Sequence, residues 1–272
     1  MKYYHISMGI LLIILLVILL AFLFRKMTRT EIYNGELKIL YEDNYIIVID
    51  KPVNISVHDA PEWDGAAVVN TLQDQGYALY RSECPFQIGV VHRLDVGTSG
   101  ILILAKTEKA YRNLKYQFKY RKVIKIYHAL IQGETKNPTG TINEPLGMVN
   151  DEDNIYGVVK TGKPSVTHYK TLKVFKGLKI IDKASLVEIN LQTGLTHQIR
   201  EHYSNMNQPL VGDVKYGSNL NFDSLIGINH QWLHAKSVEF KHPITNKRMH
   251  FNIDYPEYLK HSLYLLENNK LS

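Results

Sequence analysis

Val91-His92-Arg93-Leu94-Asp95-Val96-Gly97-Thr98-Ser99-Gly100, running on into the apolar Ile101-Leu102-Ile103-Leu104, is the segment on which the other assignments depend. One carboxylate, Asp95, stands between two basic residues and a tight Gly97-Thr98-Ser99-Gly100 bend. The flanking segments, Gln87 to Val91 and Ile101 to Leu104, read as short apolar strands bounded by turn signals. Asp95 is therefore expected in a loop that rigid elements pin at both ends. Asp, Thr and Ser also favour turns, because their side-chain oxygens bond nearby backbone N–H groups. Taken alone, Asp95 is a turn residue more often than a nucleophile.

Upstream, Lys38 to Tyr41 and Tyr45 to Asp50 read as strands around the turn Glu42-Asp43-Asn44, and Lys51-Pro52 ends the second. Asp64 suits the N-cap of a helix through Ala66, Val69 and Leu72, closed at Gly76. Downstream, Glu108 to Tyr120 reads as a helix. Between Lys106 and Lys125 there are eight Lys or Arg against the single acid Glu108, interleaved with Tyr111, Tyr116, Phe118 and Tyr120. Such a run is either a solvated helix face or a surface for a phosphate backbone. Val123 to Ile131 follows as a strand whose alternation puts Lys125, Tyr127 and Ala129 on one face.

In the second half, Val166 to Phe175 and Leu178 to Leu191 read as long strands, with a break near Asp182-Lys183. Thr196 is expected to cap a helix that begins Leu195-Thr196-His197-Gln198-Ile199-Arg200. Pro209, Gly212-Asp213 and Tyr216-Gly217 mark a loop. Trp232 to Ala235 and His250 to Ile253 read as strands, and Pro256 to Asn268 as an amphipathic helix with Leu259, Leu263 and Leu266 on one side.

Residues 8–24 are an uninterrupted apolar run of 17 residues without a charge. That is the short end of the roughly 17–25 residues that span a bilayer as a helix. Arg25, Lys26 and Arg29 follow it, while only Lys2 precedes it. The expectation is a single-pass membrane anchor in residues 1–30, with residues 31–272 as one folded domain in the cytoplasm. A cleaved signal peptide is the rival reading, although no small-x-small cleavage site follows the run.

The net charge of +6 belongs mostly to the N-terminus: residues 1–30 hold four basic residues and no acid, leaving 28 against 26 in the remainder. The overall basicity is thus weak evidence for nucleic acid. A single cysteine, Cys84, excludes a disulfide framework within the chain. His230 and His234 have an i,i+4 spacing, but Gln231 replaces the Glu of a metalloprotease motif and no thiolate cluster accompanies them. Gly97-Thr98-Ser99-Gly100 lacks nucleophile-elbow spacing, and no Gly-rich phosphate loop is present.

His92-Arg93-Leu94-Asp95-x-x-Thr98-Ser99-Gly100 resembles the catalytic motif of RluA-type pseudouridine synthases, which isomerise uridine in structured RNA. Leu40-Tyr41-Glu42-Asp43 through Asp50-Lys51-Pro52 resembles that family's first motif, and Lys125-x-Tyr127-x-Ala129 its tyrosine motif. Thr193-Gly194-x-Thr196-His197-Gln198-Ile199-Arg200, with Pro209, Gly212-Asp213 and Tyr216-Gly217, resembles its third. Leu233-His234-Ala235 with His242-Pro243 resembles its late strand. The resemblance spans residues 37–255 in the family's order, which makes the signal specific.

The resemblance implies an α/β mixed (α+β) fold, a bent and largely antiparallel central sheet with flanking helices. It implies Asp95 as nucleophile, Tyr127 as stacking residue and proton acceptor, and Arg200 as the carboxylate's partner. His92, Arg93, Thr98, Lys125, His197 and Gln198 are the expected substrate-binding residues. It implies structured, uridine-containing RNA (ribosomal or transfer) as partner, no metal or organic cofactor, and a monomer. Arg200 would keep a buried carboxylate ionised, because a guanidinium does not give up its proton. Family members commonly carry Arg where this chain has Leu195 and an apolar residue where it has Glu201. The alternative is a membrane-tethered, non-catalytic RNA-binding scaffold that retains the fold.

Overall fold

The runs Ile46–Lys51 and Ser99–Ala105 carry the continuous apolar stretches 46–49 and 101–105, and almost every side chain in them is buried. Strands covered on both faces read this way, and these two lie inside the sheet. The computed structural model describes residues 35–59, 63, 65–82, 88–150 and 155–268. In chain order the strands are β1 (Lys38–Glu42), β2 (Ile46–Lys51), β3 (Ser99–Ala105), β4 (Ile124–Gln132), β5 (Thr139–Asn143), β6 (Leu146–Asn150), β7 (Ile155–Val158), β8 (Val166–Lys176), β9 (Lys183–Leu191), β10 (Leu233–Lys241) and β11 (Arg248–Asn252). The helices are α1 (Val68–Asp74), α2 (Glu108–Lys119), α3 (Gln198–Asn205), α4 (Leu220–Leu225) and α5 (Glu257–Glu267), with one tight turn at Val214–Tyr216.

Nine strands form one sheet in the order β1-β2-β3-β10-β4-β9-β8-β5, with β11 on β10, and β6-β7 form a separate hairpin. Every pairing in the large sheet is antiparallel except β3 with β10. The mixed, mainly antiparallel α/β architecture expected from the sequence is therefore present.

Alternation decides what each face buries. Tyr127, Ala129 and Ile131 of β4 enter one cluster with Ile189, Ala235 and the α3 residues Ile199 and Tyr203. Leu130 enters a second cluster with Trp232 and the α5 residues Leu259 and Leu266. A third cluster sets Val48, Ile101 and Ile103 against Ala110 and Leu114 of α2. Each fully buried aliphatic side chain contributes on the order of 1.5–3 kcal/mol. A register row of Gly100, Ala235, Tyr127 and Ile189 crosses the four central strands. Gly100 has φ +116°, and a Cβ there would lie 2.5 Å from Ala235 O, so this close strand approach requires glycine.

Three local expectations change. Residues 88–91 form a turn with one bridge, Val90 to Leu104, because Gly89 (φ +67°) turns the chain tightly against Ala105 O. Helix α3 starts at Gln198 with His197 as its N-cap in a left-handed conformation (φ +56°), and Thr196 makes no cap bond. Helix α1 starts after Ala67 without a side-chain cap, and Asp64 lies outside the described residues.

The membrane assignment is also corrected. Among the described residues no helix is long and apolar enough to cross a membrane, and the segment expected to anchor the chain, residues 8–24, lies outside them. The anchored localisation with a cytoplasmic catalytic domain is therefore withdrawn.

Candidate active site

The loop carrying Asp95 is held by backbone contacts from three directions. Thr98 N–H donates to Asp95 O at 3.0 Å, and Asn54 N–H donates to Val96 O at 3.0 Å. The fully buried Lys51 donates from Nζ to Val96 O at 3.3 Å and to Pro52 O and Ile55 O at 2.8 Å each. Burial pulls the Lys51 ammonium down to about 7, while the charge of Asp95 acts the other way. Gly97 gives Gln231 room to enter: a Cβ there would lie 2.4 Å from Gln231 Oε1. Gln231 Nε2 then donates to Thr98 Oγ1 at 3.3 Å.

Asp95 Oδ2 accepts from Arg200 Nη1 at 3.2 Å. The same guanidinium donates from Nε to Asp213 Oδ2 at 2.7 Å and from Nη2 to Asp213 Oδ1 at 2.8 Å. This fork fixes the plane of Arg200 as well as its position. Tyr216 covers the guanidinium, with its ring centroid 4.8 Å from the central carbon. Burial works against the charge on Arg200, but Asp213 and then Asp95 hold its pKa above the ordinary value. Asp95 thus faces a cation that stays charged at any working pH.

His197 approaches the same carboxylate oxygen, with Nε2 4.0 Å from Asp95 Oδ2 and Nδ1 2.7 Å from Tyr216 Oη. Burial pushes its pKa down to about 4, although Asp95 opposes the shift. Tyr127 projects from β4 into the same space, and burial followed by the charge of Asp95 raises its phenol well above the ordinary value. A cavity of about 460 Å³ opens above these groups, lined also by Phe118, Lys119, Arg121, Lys125, Leu195 and Thr196. That volume lies within the roughly 300–1,000 Å³ usual for ligand sites.

Residues 45–205 match the family model described as RNA pseudouridylate synthase. The chain is 40% identical over 230 residues to an RNA pseudouridine synthase of Mycobacterium bovis, covering 85% of this chain and 73% of that one. The chain belongs to the RNA pseudouridylate synthase family. It is 35% identical over 248 residues to the ribosomal large subunit pseudouridine synthase D of Pseudomonas aeruginosa, covering 86% and 73% of the two chains. Among solved structures, human RNA pseudouridylate synthase domain containing 1 superposes with a TM-score of 0.63 at 27% identity, over 81% of this chain and 84% of that one. This RNA pseudouridine synthase is of the RluA type and is an isomerase. The scaffold alternative drew on a membrane tether that the described residues do not contain.

All nine residues singled out from the sequence of this synthase line the one cavity, but their polar atoms are not equally free. His92 Nε2 accepts from Ile103 N–H at 3.0 Å, and its ring stacks on Phe118. Burial, with Lys125 and Lys115 nearby, pushes His92 down to about 3, so it is neutral. Gln198 accepts at Oε1 from Thr193 Oγ1 and Leu195 N–H, and donates from Nε2 to Val166 O and Thr167 Oγ1. These bonds make it a brace for the loop before α3. Thr98 is buried behind Gln231. Arg93 is the more available group, with one 3.4 Å bond from Nη2 to Thr196 Oγ1. Lys125 donates to Thr193 O at 3.2 Å, and burial followed by Arg121 lowers it to about 8. His234 Nδ1 pairs with Ser99 Oγ at 2.8 Å, and among the described residues no group of three His, Cys, Asp or Glu could hold an ion.

Sequence reasoning had Asp213 and Tyr216 only as motif positions in a loop and gave them no part in the site. The available signal was charge balance. A buried arginine opposite one partly open carboxylate calls for a second, enclosed anion.

Proposed function

We propose that the synthase isomerises a uridine in ribosomal large-subunit RNA, with Asp95 as nucleophile, Arg200 as the cation that orients it and Tyr127 as the ring beneath the flipped base. The observation that carries this reading is the arrangement of Arg200 between a buried acid, Asp213, and a reachable one, Asp95, with Tyr127 across the cavity. Asp213 neutralises the guanidinium and fixes its plane, so its third N–H is presented to Asp95 already aligned. The substrate class is inferred from relatives whose names specify the ribosomal large subunit.

A uridine cannot meet Asp95 from inside a helix, so it must leave the stack and enter the cavity. Attack by Asp95 on the sugar carbon breaks its bond to the ring nitrogen and leaves a covalent sugar ester; the freed base turns over Tyr127 and attacks that carbon through its own carbon, which expels the Asp95 carboxylate. The proton shed by the base carbon needs an acceptor. Tyr127 is a neutral phenol, held so first by burial and then by the charge of Asp95, so it takes that proton only by passing its own hydroxyl proton to the ring nitrogen that the sugar has left.

The RNA around the flipped nucleotide is assigned to the basic surface at the end of α2. Lys119 and Arg121 sit on the cavity rim, and the exposed Tyr116 and Tyr120 lie beside them with Lys122 4.5 Å from the Tyr116 ring. Aromatic faces among cations suit a phosphate backbone with unstacked bases.

The test is to incubate the full-length chain with ribosomal RNA and, separately, transfer RNA from cells lacking it and to map pseudouridine in each, beside Asp95→Ala. New pseudouridine from the wild type alone supports the reading. Equal modification by both proteins sinks the assignment of Asp95, and modification confined to transfer RNA sinks the substrate class.

A further inference from the structure

Behind His197 lies a chain of polar groups that the reaction outlined above does not use. Tyr216 Oη, 2.7 Å from His197 Nδ1, also hydrogen-bonds the Glu201 carboxyl, and Tyr156 N–H donates to it at 3.4 Å. Glu201 is buried, at 5% exposure, and its Oε1 has no hydrogen-bond partner among the described residues. A buried carboxyl oxygen left unpaired in this way calls for an account.

Proton counting supplies one. Tyr216 has a single hydroxyl proton and can donate to Glu201 or to His197, but not to both. When Glu201 is ionised it only accepts, so Tyr216 donates to it. His197 must then carry its proton on Nδ1 and donate to Tyr216 Oη, leaving Nε2 as a bare lone pair towards Asp95. When Glu201 is protonated, its hydroxyl needs an acceptor in a place where Oε1 has none, and Tyr216 Oη is within reach. Tyr216 then donates to His197 Nδ1, and the histidine proton sits on Nε2, facing Asp95. In both states every donor from Glu201 to His197 Nδ1 is paired, Nε2 faces Asp95 Oδ2 at 4.0 Å without a hydrogen bond, and moving between the states requires no rearrangement of heavy atoms.

We propose that Glu201 is a positioning residue that acts through Tyr216 to select the tautomer of His197, and so decides whether Asp95 faces an N–H donor or a lone pair. The consequence for turnover rests on Asp95 being the nucleophile, whereas the tautomer itself can be read without any substrate. The neighbouring charges are compatible with a switch near neutrality. Burial raises the Glu201 carboxyl to about 7, Tyr216, Arg200 and Lys215 oppose that, and Asp213 adds to it. Burial, with Arg200, Lys215 and Arg93 adding to it and Asp95 opposing, holds His197 down to about 4, so it stays neutral while Glu201 titrates. The histidine changes tautomer, not charge.

The experiment is nitrogen-15 NMR of the full-length chain carrying labelled histidine, without RNA, from roughly pH 5.5 to roughly pH 8.5, a range set by the histidine and carboxyl pKa values involved. The His197 ring is assigned by the signals lost in His197→Gln. The wild type is expected to pass from Nε2–H to Nδ1–H as pH rises, with its midpoint where Glu201 titrates, at about 7. Glu201→Gln and Tyr216→Phe are each expected to abolish the transition, the first by removing the titrating group and the second by cutting the link. One unchanging tautomer in the wild type overturns the proposal. So does a transition that survives at the same pH in either variant. Because the two changes are conservative and independent, loss of folding in one leaves the other to decide.

Discussion

Two substitutions at the ends of the same guanidinium separate the part of the site that holds the fold from the part that does chemistry. Asp213 is 1% exposed and takes two bonds from Arg200, at 2.7 and 2.8 Å. Asp95 has 28% of its side chain exposed and takes one, at 3.2 Å. In Asp213→Asn one of the two acceptors becomes an amide NH₂ facing a donor, and the buried cation loses its enclosed counter-charge. Breaking a buried pair by altering one partner costs about 3–5 kcal/mol. Asp95 remains as a second anion, which puts Asp213→Asn at the lower end, about 3 kcal/mol. For a chain of this size that lowers the melting temperature by roughly 6–12 °C. Asp95→Asn removes one longer, partly solvated contact and is expected to cost about 1 kcal/mol or less, while pseudouridine formation falls to background. The assay is thermal unfolding of both variants by circular dichroism, with pseudouridine formation under single-turnover conditions measured alongside. Equal melting temperatures for the two variants, or a larger loss in Asp95→Asn, would refute the idea that Asp213 carries the structural half of the bridge.

Three further outcomes follow from the same geometry. Tyr127→Phe keeps the ring and its place in the core, so it should melt within about 1–2 °C of the wild type while single-turnover product formation slows by roughly 10²–10⁴-fold; an unchanged rate would remove the phenol from proton transfer. The Glu201 carboxyl, raised by burial from 4.5 to about 7, binds a proton in the native state that the unfolded chain has already released. Its contribution is complete below about pH 4.5 and is lost as pH rises through about 7, so the unfolding free energy from denaturant titration of the wild type, relative to Glu201→Gln, should fall across that interval by at most about 3 kcal/mol. Replacing Lys119 and Arg121 together with Ala should weaken binding to ribosomal RNA and reduce the slope of log affinity against log salt by roughly 1.5; an unaltered slope would take these two residues off the RNA path.

What the sequence disclosed about the fold depended on how each element is buried. β2 and β3 were legible from apolar runs next to Pro52 and Gly100, and α2 from a charged, turn-bounded segment that Thr107 caps and whose buried face carries Ala110 and Leu114. The strands β5, β6 and β7 were not, since they bury only Ile142 and Leu146 and so show no apolar alternation. The strand expected before Asp95 failed because apolar residues there meet the core from a turn, which periodicity cannot distinguish from a strand. At the site, Asp95, Tyr127 and Arg200 could be placed together from their motifs. The anion behind Arg200 could not, because Asp213 sits in a loop whose only visible signal was Gly212-Asp213. The identity of the α3 cap was equally hidden. Thr196 is the better capping residue by type, but His197 holds the left-handed position, and that conformation turns its ring towards Asp95.

The order of these segments explains why the chemistry depends on the whole sheet being assembled. Asp95 precedes β3, Tyr127 belongs to β4, and Arg200 and Asp213 come from α3 and the loop beyond it, so no local piece of chain contains the site. Gly100, Ala235, Tyr127 and Ile189 must share one register row before Asp95 and α3 meet over the same face. A slip of one residue in β4 would send Tyr127 to the α5 face and bring His128 under Asp95. The parallel contact of β3 with β10, two residues long and dependent on Gly100, fixes the height of the Asp95 loop within that row. Lys51 extends the coupling to the other side: its ammonium joins the end of β2 to Val96 O, so a displacement of β2 is transmitted to the residue next to the nucleophile. A partly folded chain therefore presents Asp95 without its cation, and the carboxylate acquires its reactive setting only in the completed fold.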